Sequence, residues 1–162
     1  YFFKKHDIPF LLAGDAIMPG VLIAQALGRW GNFFNHEAYG GEVSLSFLQS
    51  LHLPQFIIDN MYMNGAYHHP TFLYESMGNI MAFLLIVFVI RRFQKHQGVQ
   101  FFSYFLFYGL VRFPVEGLRT DSLMFGPIRM AQLISIAFII AGLIGIIYVH
   151  LKGKEVHYID MS

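Results

Sequence analysis

Hydrophobic residues gather in four long stretches that are separated by polar and charged segments. The stretches cover roughly residues 9–34, 70–90, 99–118 and 128–151. Each is close to the roughly 20 residues that an α-helix needs to cross a bilayer, and helices are the only open-chain structure that satisfies its own backbone hydrogen bonds there. The pattern therefore predicts about four membrane-spanning helices.

Charge distinguishes the last stretch from the other three. Its uncharged run covers residues 130–149, with Ala141 and Gly145 at a spacing that suits close helix contact. The runs in the other stretches end early, at Arg29, Glu75 and Arg112. Ionisable groups in or beside an apolar slab are costly and usually mark function or a buried ion pair. We interpret the last helix as scaffold and the other three as carriers of a functional site.

Composition supports a membrane protein. Hydrophobic residues make up 56% of the 162, charged residues make up 13%, and cysteine is absent, whereas soluble domains carry about 25% charged residues. These values argue against a disordered chain, a nucleic-acid-binding protein, a disulfide scaffold and a thiolate metal site. We predict an all-α polytopic membrane helix bundle, with residues 1–162 forming a single integral membrane domain. Because the chain opens at Tyr1 and not at Met, we interpret it as part of a longer polypeptide.

The basic residues predict the orientation. Seven of the eleven cations fall on one side of an alternating path, and an excess of Lys and Arg marks the cytoplasmic side. These seven are Lys4, Lys5, Arg91, Arg92, Lys95, Lys152 and Lys154. The other four are all arginines, namely Arg29, Arg112, Arg119 and Arg129. A planar guanidinium suits forked anion binding, so the outer side is favoured for an anion site.

A long segment, residues 35–69, joins the first two spans on the predicted outer side. Its only acidic or basic residues other than histidine are Glu37, Glu42 and Asp59, and residues 45–53 and 56–63 are apolar and aromatic. Such a composition suits a segment at the membrane interface. We predict an extracytoplasmic, interfacial segment there, with no second soluble domain.

The densest polar cluster is Gly-Arg-Trp-Gly-Asn-Phe-Phe-Asn-His-Glu-Ala-Tyr-Gly, residues 28–40. Arg29 and Asn32 share a helix face at i and i+3, and the glycines permit close approach of a headgroup or another backbone. An anion can dock there. The alternative interpretation is a helix end with an interfacial tryptophan and a capping asparagine.

A second cluster, residues 112–119, reads Arg-Phe-Pro-Val-Glu-Gly-Leu-Arg. Arg112, Glu116 and Arg119 recur at i, i+4 and i+7 on one helix face. An ion pair that neutralises itself inside a bundle would explain Arg112 and Glu116 alone. However, Arg29 and Arg112 lie at the outer ends of two spans and can converge on one phosphate with bidentate hydrogen bonds.

A third cluster, His68 to Glu75, enters the second span from the outer side. Pro70 suits the first turn of a helix. A metal site is a poor interpretation because the two histidines are adjacent and no HExxH motif or carboxylate triad accompanies them. His69 fits an orienting or proton-handling group or an interfacial cap, and Glu75 equally fits a counter-ion for one of the arginines.

Taken in chain order, residues 28–40, 69–75 and 112–119 resemble three motifs of the bacterial phosphatidylglycerol–prolipoprotein diacylglyceryl transferases, which follow one another in the same order in that family. The resemblance implies a seven-helix membrane enzyme that transfers the diacylglyceryl group of phosphatidylglycerol to the lipobox cysteine of a prolipoprotein and releases glycerol phosphate. It implies a bacterial cell membrane location with the active site toward the outer leaflet. In this reaction attack is at the glycerol carbon and the guanidiniums supply the positive charge, so we expect no metal and no cofactor. We also expect no nucleic-acid partner, from the composition.

Carried over residue by residue, the resemblance assigns phosphatidylglycerol binding to Arg29 and Arg112. It assigns supporting roles in the active site to Asn32, Glu37, Gly40 and Glu116. The family also has a His-Gly-Gly stretch and a functional tyrosine upstream, which nothing before Arg29 matches. We expect these to lie before Tyr1, together with the favoured general base, and His69 is the alternative base within this chain.

Two other classes of function compete with this interpretation. A transporter or anion channel would use the arginines to line a pathway, but it predicts cations at several depths and broken half-helices at mid-span. A purely structural subunit explains the small residues of the last helix but not three polar clusters on one side. The enzyme is favoured over both.

Overall fold

A computed structural model describes Lys5 and residues 8–155, so Lys4, counted above among the cytoplasmic cations, lies outside the described residues. The predicted apolar stretches are helical, with bounds within a few residues of those expected. In chain order the elements are α1 (Phe10–Phe34), β1 (Glu42–Val43), α2 (Leu45–Ser50), α3 (Gln55–Asn60), β2 (Tyr62–Met63), β3 (Ala66–His68), α4 (Thr71–Leu84), a π-helical stretch (Leu85–Ile90), α5 (Arg91–Phe93), α6 (Val99–Leu118), β4 (Met124–Phe125), β5 (Ile128–Arg129) and α7 (Met130–Lys152).

Three helices of the described chain are long and apolar enough to cross a membrane, namely Phe10–Phe34, Thr71–Phe93 and Met130–Lys152. Helix α6 has a similar length of 20 residues. It is less apolar because Gln100, Arg112 and Glu116 interrupt it. The described part is therefore an all-α membrane helix bundle, as predicted, in which α6 packs against α1, α4 and α7.

Helices α6 and α7 approach each other closely because glycines line their contact. A Cβ added at Gly109 would lie 2.7 Å from the Ser135 carbonyl oxygen, and one at Gly142 would lie 2.7 Å from the Leu106 backbone nitrogen. Gly145 lies against the Phe102 ring. Of the two small residues singled out in the sequence, Gly145 is at the contact, whereas Ala141 is exposed and Gly142 takes the place expected for it.

The segment 35–69 is more structured than its composition predicted. It contains two short helices and a three-stranded antiparallel sheet of order β1-β3-β2. Asn64 and Gly65 connect β2 to β3 with φ of 54° and 88°, as a two-residue hairpin turn requires. A small apolar core holds this unit on the ends of α1 and α4; its buried residues are Phe33, Leu48, Ile57, Ile58, Met61 and Phe72. Its placement at a membrane interface stays a prediction.

At the opposite end of the bundle, the buried carboxylate of Asp15 ties α1 to the start of α6. Its Oδ2 accepts hydrogen bonds from the Gly98 backbone N–H at 2.7 Å and from the Gln94 amide at 2.8 Å, and its Oδ1 accepts from the Phe101 N–H at 2.8 Å. An acidic side chain on the free N–H groups of a first turn stabilises that turn. Asp15 therefore fixes the height of α6 against α1, and with it the level of Arg112.

Candidate functional site

Three helices bring Arg29, Glu75 and Arg112 together at one end of the bundle. Arg112 Nη1 lies 2.8 Å from Glu75 Oε2, and Arg29 Nη1 lies 3.6 Å from the same oxygen. The arginines come from α1 and α6, and the carboxylate between them comes from the second turn of α4. The two arginines thus meet on a carboxylate of this chain, and their convergence on a phosphate stays a prediction. Glu75 is the counter-ion that one interpretation of the sequence anticipated.

The carboxylate of Glu116 extends this cluster along α6. Arg112 Nη2 donates to Glu116 Oε2 at 2.6 Å, and Arg119 Nε lies 4.0 Å from the same atom. Arg119 also binds both carboxylate oxygens of Asp121, at 3.0 and 2.9 Å. This bidentate contact holds the pKa of Asp121 below its ordinary value. The three arginines and three carboxylates of the cluster balance in charge.

Burial and pairing differ between the two converging arginines. Glu75 and Glu116 are 3% and 2% exposed, and the Arg112 side chain is 14% exposed. Arg29 is the more accessible partner, with 28% of its side chain exposed. Its Nε is buried without a hydrogen-bond partner in the described part of the chain. Because a buried donor without a partner is costly, Arg29 is the member of the cluster best prepared to bind an added anion.

Gly40 is the point at which all three sequence clusters meet. Its N–H donates to the His69 carbonyl at 3.1 Å, and its backbone pairs with that of Arg119. The next N–H, from Gly41, donates to the Leu118 carbonyl at 2.9 Å. A Cβ at Gly40 would lie 2.6 Å from the Cβ of His69, so only glycine fits without displacing a neighbour. Gly40 therefore acts as a backbone joint between the clusters.

Asn32 lies in the last turn of α1 and Glu37 in the loop that follows, both between Arg29 and this joint along the chain. Asn32 is half-buried and its carbonyl accepts the Glu37 N–H at 2.9 Å, while the Glu37 side chain is exposed. Within the described residues, neither side chain hydrogen-bonds to an arginine of the cluster. The geometry leaves both polar groups beside the C-terminal end of α1, and their roles stay predictions.

The two adjacent histidines have different surroundings. His69 Nδ1 lies 3.3 Å from the Tyr74 hydroxyl, and its ring packs edge-on against Phe47. Burial lowers the pKa of His69, which favours the neutral ring. His68, for which the sequence predicted no separate role, is buried, with Nδ1 2.9 Å from the Gly40 carbonyl oxygen. Among the described residues, no group of three or more His, Cys, Asp or Glu side chains is arranged to hold a metal ion.

Comparison with known families agrees with the three motifs. The profile described as prolipoprotein diacylglyceryl transferase matches residues 1–148 of the chain. This chain belongs to the prolipoprotein diacylglyceryl transferase family. The resemblance drawn from the three motifs is confirmed.

Curated relatives of the family are similar over most of this chain. Proteins named phosphatidylglycerol–prolipoprotein diacylglyceryl transferase from Bacillus cereus (strain G9842), Bacillus anthracis (strain A0248) and Bacillus thuringiensis subsp. konkukian (strain 97-27) are each 49% identical to it over 153 residues. The match covers 94% of this chain and 56% of each relative. The chain thus spans little more than half the length of the transferases that it matches.

Proposed function

We propose that this protein transfers the diacylglyceryl group of phosphatidylglycerol to the lipobox cysteine thiol of a prolipoprotein. The observation that carries the proposal is the convergence of Arg29 and Arg112, from separate helices, on a single buried carboxylate oxygen. Two guanidiniums in a partly desolvated site match the forked geometry of a phosphate, and the buried Nε of Arg29 is a donor that the carboxylates of the cluster leave without a partner in the described residues. The names of the relatives support the choice of lipid and acceptor.

Binding of the phosphate follows from the unequal pairing of the arginines. Arg112 is held by two carboxylates at 2.8 and 2.6 Å, so it is a fixed donor. Arg29 is 3.6 Å from Glu75 and has an unpaired Nε, so it can turn toward the lipid with little loss. In this arrangement Arg29 binds the incoming phosphate, and Arg112 provides a preorganised second contact.

The reaction replaces a carbon–oxygen bond by a carbon–sulfur bond. The thiol loses its proton to a base, and the thiolate attacks the diacylglyceryl carbon that is bonded to the phosphate oxygen. The bond from this carbon to the phosphate oxygen breaks, and its electron pair leaves on glycerol phosphate. The arginines stabilise the charge that develops on the leaving group, so their contacts are most valuable in the transition state.

The other site residues support this centre. Glu116 orients Arg112 through the 2.6 Å contact, and Gly40 holds the three motifs together. We assign Asn32 and Glu37 to the headgroup glycerol or to the arginines. Burial lowers the pKa of His69, which favours the neutral ring, so His69 is the alternative proton acceptor within this chain, while the upstream histidine of the family is the favoured base.

The proposed location is a bacterial cytoplasmic membrane, crossed several times, with the site toward the outer leaflet. Arg29 and Arg112 lie at the end of the bundle opposite to Arg91 and Arg92, as the basic-residue pattern expects. Phosphatidylglycerol would enter from the bilayer, and the prolipoprotein would present its signal peptide from the same side.

Mass spectrometry of a lipobox peptide tests the proposal. The full-length protein is placed in proteoliposomes that contain phosphatidylglycerol, and the peptide mass is followed for the wild type, Arg29→Ala and Arg92→Ala, an exposed arginine at the other end of the bundle. We expect a diacylglyceryl mass gain in the wild type and in Arg92→Ala but not in Arg29→Ala. A fully active Arg29→Ala contradicts the assignment of Arg29. No gain by an intact wild type contradicts the function and favours the transport alternative.

A further inference from the structure

Arg129 lies outside the three motifs, yet it makes the densest set of hydrogen bonds near the site. It precedes α7, and its Nη1 donates to the Glu116 carbonyl and to the Arg119 carbonyl at 3.1 Å, and lies 3.5 Å from the Ser122 hydroxyl oxygen. One nitrogen of Arg129 thus connects the start of α7 to the end of α6 and to the turn that follows it.

These contacts complete the C-terminal end of α6. The last four carbonyls of a helix have no partners within the helix and need donors from elsewhere. Here the Leu118 carbonyl accepts from the Gly41 N–H at 2.9 Å. The Glu116 carbonyl accepts from the capping Arg119 N–H at 3.3 Å, from the Ser122 hydroxyl at 3.4 Å and from Arg129. A cation at this end also interacts favourably with the helix dipole. Arg129 therefore stabilises the last turn of α6 through hydrogen bonds to its carbonyls and through the interaction of its charge with the helix dipole.

The residue whose carbonyl Arg129 binds is also the residue whose carboxylate holds Arg112. Glu116 Oε2 accepts from Arg112 at 2.6 Å and lies 4.0 Å from Arg119 Nε. The direction of the Glu116 side chain depends on the backbone of that turn. If the turn loosens, the carboxylate moves and Arg112 loses one of its two anionic partners.

We propose that Arg129 is a positioning residue that sets the Glu116 carboxylate against Arg112 by holding the Glu116 and Arg119 carbonyls. The proposal rests on the proposed function only for its effect on the reaction, since the effect on the helix end is independent of activity. Arg129 acts through Glu116 and does not contact the phosphate. Loss of Arg129 therefore lowers activity only in a protein that still carries the Glu116 side chain.

The first measurement is hydrogen exchange, which reports on the helix end without any activity. Amide exchange is compared by mass spectrometry in the full-length wild type, Arg129→Met and Arg92→Met, with Arg92 as an exposed cation at the far end of the bundle. In Arg129→Met we expect residues 116–122 to exchange about tenfold faster, while the middle of α6 and the Arg92→Met protein stay as in the wild type. Unchanged exchange at residues 116–122 contradicts the proposal.

The second measurement is a double-mutant comparison of kcat and KM for phosphatidylglycerol. Arg129→Met is expected to lose about 10- to 100-fold in kcat/KM, and Arg129→Lys, which can still donate to a carbonyl, to recover part of it. Combined with Glu116→Ala, which removes the side chain that Arg129 is proposed to position, Arg129→Met should cost no more than about twofold beyond Glu116→Ala alone. Full multiplication of the two losses would instead assign Arg129 a role independent of Glu116, such as direct phosphate binding.

Hydrogen exchange and kinetics together distinguish failure of the proposed function from failure of the positioning role of Arg129. An inactive wild type contradicts the proposed function, while hydrogen exchange still decides whether Arg129 holds the helix end. A fall in thermal stability of Arg129→Met with kcat and KM unchanged shows a merely structural residue and overturns the positioning role.

Discussion

Replacement of Glu75 by glutamine tests whether the buried ion-pair cluster holds the three helices together. Glu75 is 3% exposed, and one of its oxygens serves both Arg112 and Arg29. Removing one partner of a buried ion pair costs about 3–5 kcal/mol, whereas an exposed pair contributes about 0–1 kcal/mol. The cost for Glu75→Gln should be smaller than for a fully buried pair, because Arg112 still pairs with Glu116 and the Arg29 side chain is partly exposed. We therefore expect Glu75→Gln to lower the free energy of unfolding by about 1–3 kcal/mol.

The assay for this prediction is reversible unfolding of the full-length protein in mixed detergent micelles. Glu42→Gln is the matched control, because Glu42 is an exposed glutamate of the segment 35–69, at the same end of the bundle. We expect the control to stay within about 0.5 kcal/mol of the wild type. A Glu75→Gln protein that is as stable as the control would refute the argument, since the two arginines would then not depend on this carboxylate.

Three further substitutions test the backbone joint, the helix contact and the histidine. Gly40→Ala should lower the free energy of unfolding by about 1–3 kcal/mol, because the new Cβ would lie 2.6 Å from the Cβ of His69. Gly41→Ala is the control and should leave the free energy of unfolding unchanged, because a Cβ at Gly41 meets nothing within 4 Å. Gly142→Leu should separate α6 from α7, seen as loss of a folded elution peak, while Ala141→Leu on the exposed face should be tolerated. The lowered pKa of His69 disfavours its protonation in the folded state. The free energy of unfolding should therefore fall as the pH drops below about 6.5, the ordinary value, toward the pKa of the folded state. In urea titrations between pH 7.5 and 5.5, His69→Gln should show a smaller fall than the wild type.

The long helices and the arginine pair were predictable because they rest on strong local signals. Apolar runs of about 20 residues leave few alternatives in a bilayer. The arginines were recognisable because their position near an apolar slab is costly in itself. The i and i+4 spacing of Arg112 and Glu116 also predicted their ion pair.

Features that depend on contacts between distant segments were missed. The sheet of residues 42–68 consists of strands of only two or three residues, too short to leave a period in the sequence. Asp15 received no prediction, because its role depends on Gly98 and Phe101, more than 80 residues away. For Arg129, the deciding partner is a backbone carbonyl, which no side-chain pattern reveals.

The contact position on α7 was predicted at Ala141 but lies at Gly142, again because it depends on a neighbouring segment. Spacing along one helix identifies possible contact positions, but the face that packs is chosen by the neighbouring helix. Here Leu106 and Phe102 on α6 select Gly142 and Gly145. A small-residue pattern therefore predicted a close contact but not its register.

The most direct test of the central claim is the activity of Arg29→Lys beside His69→Ala in the full-length protein with phosphatidylglycerol and a lipobox peptide. Lysine keeps the positive charge at this position but loses the fork and the unpaired Nε. If Arg29 binds the phosphate with Arg112, kcat/KM of Arg29→Lys falls by about 10- to 100-fold, while His69→Ala retains activity. An Arg29→Lys enzyme as active as the wild type would contradict the account, because the phosphate would then not depend on the guanidinium that the structure places beside Glu75.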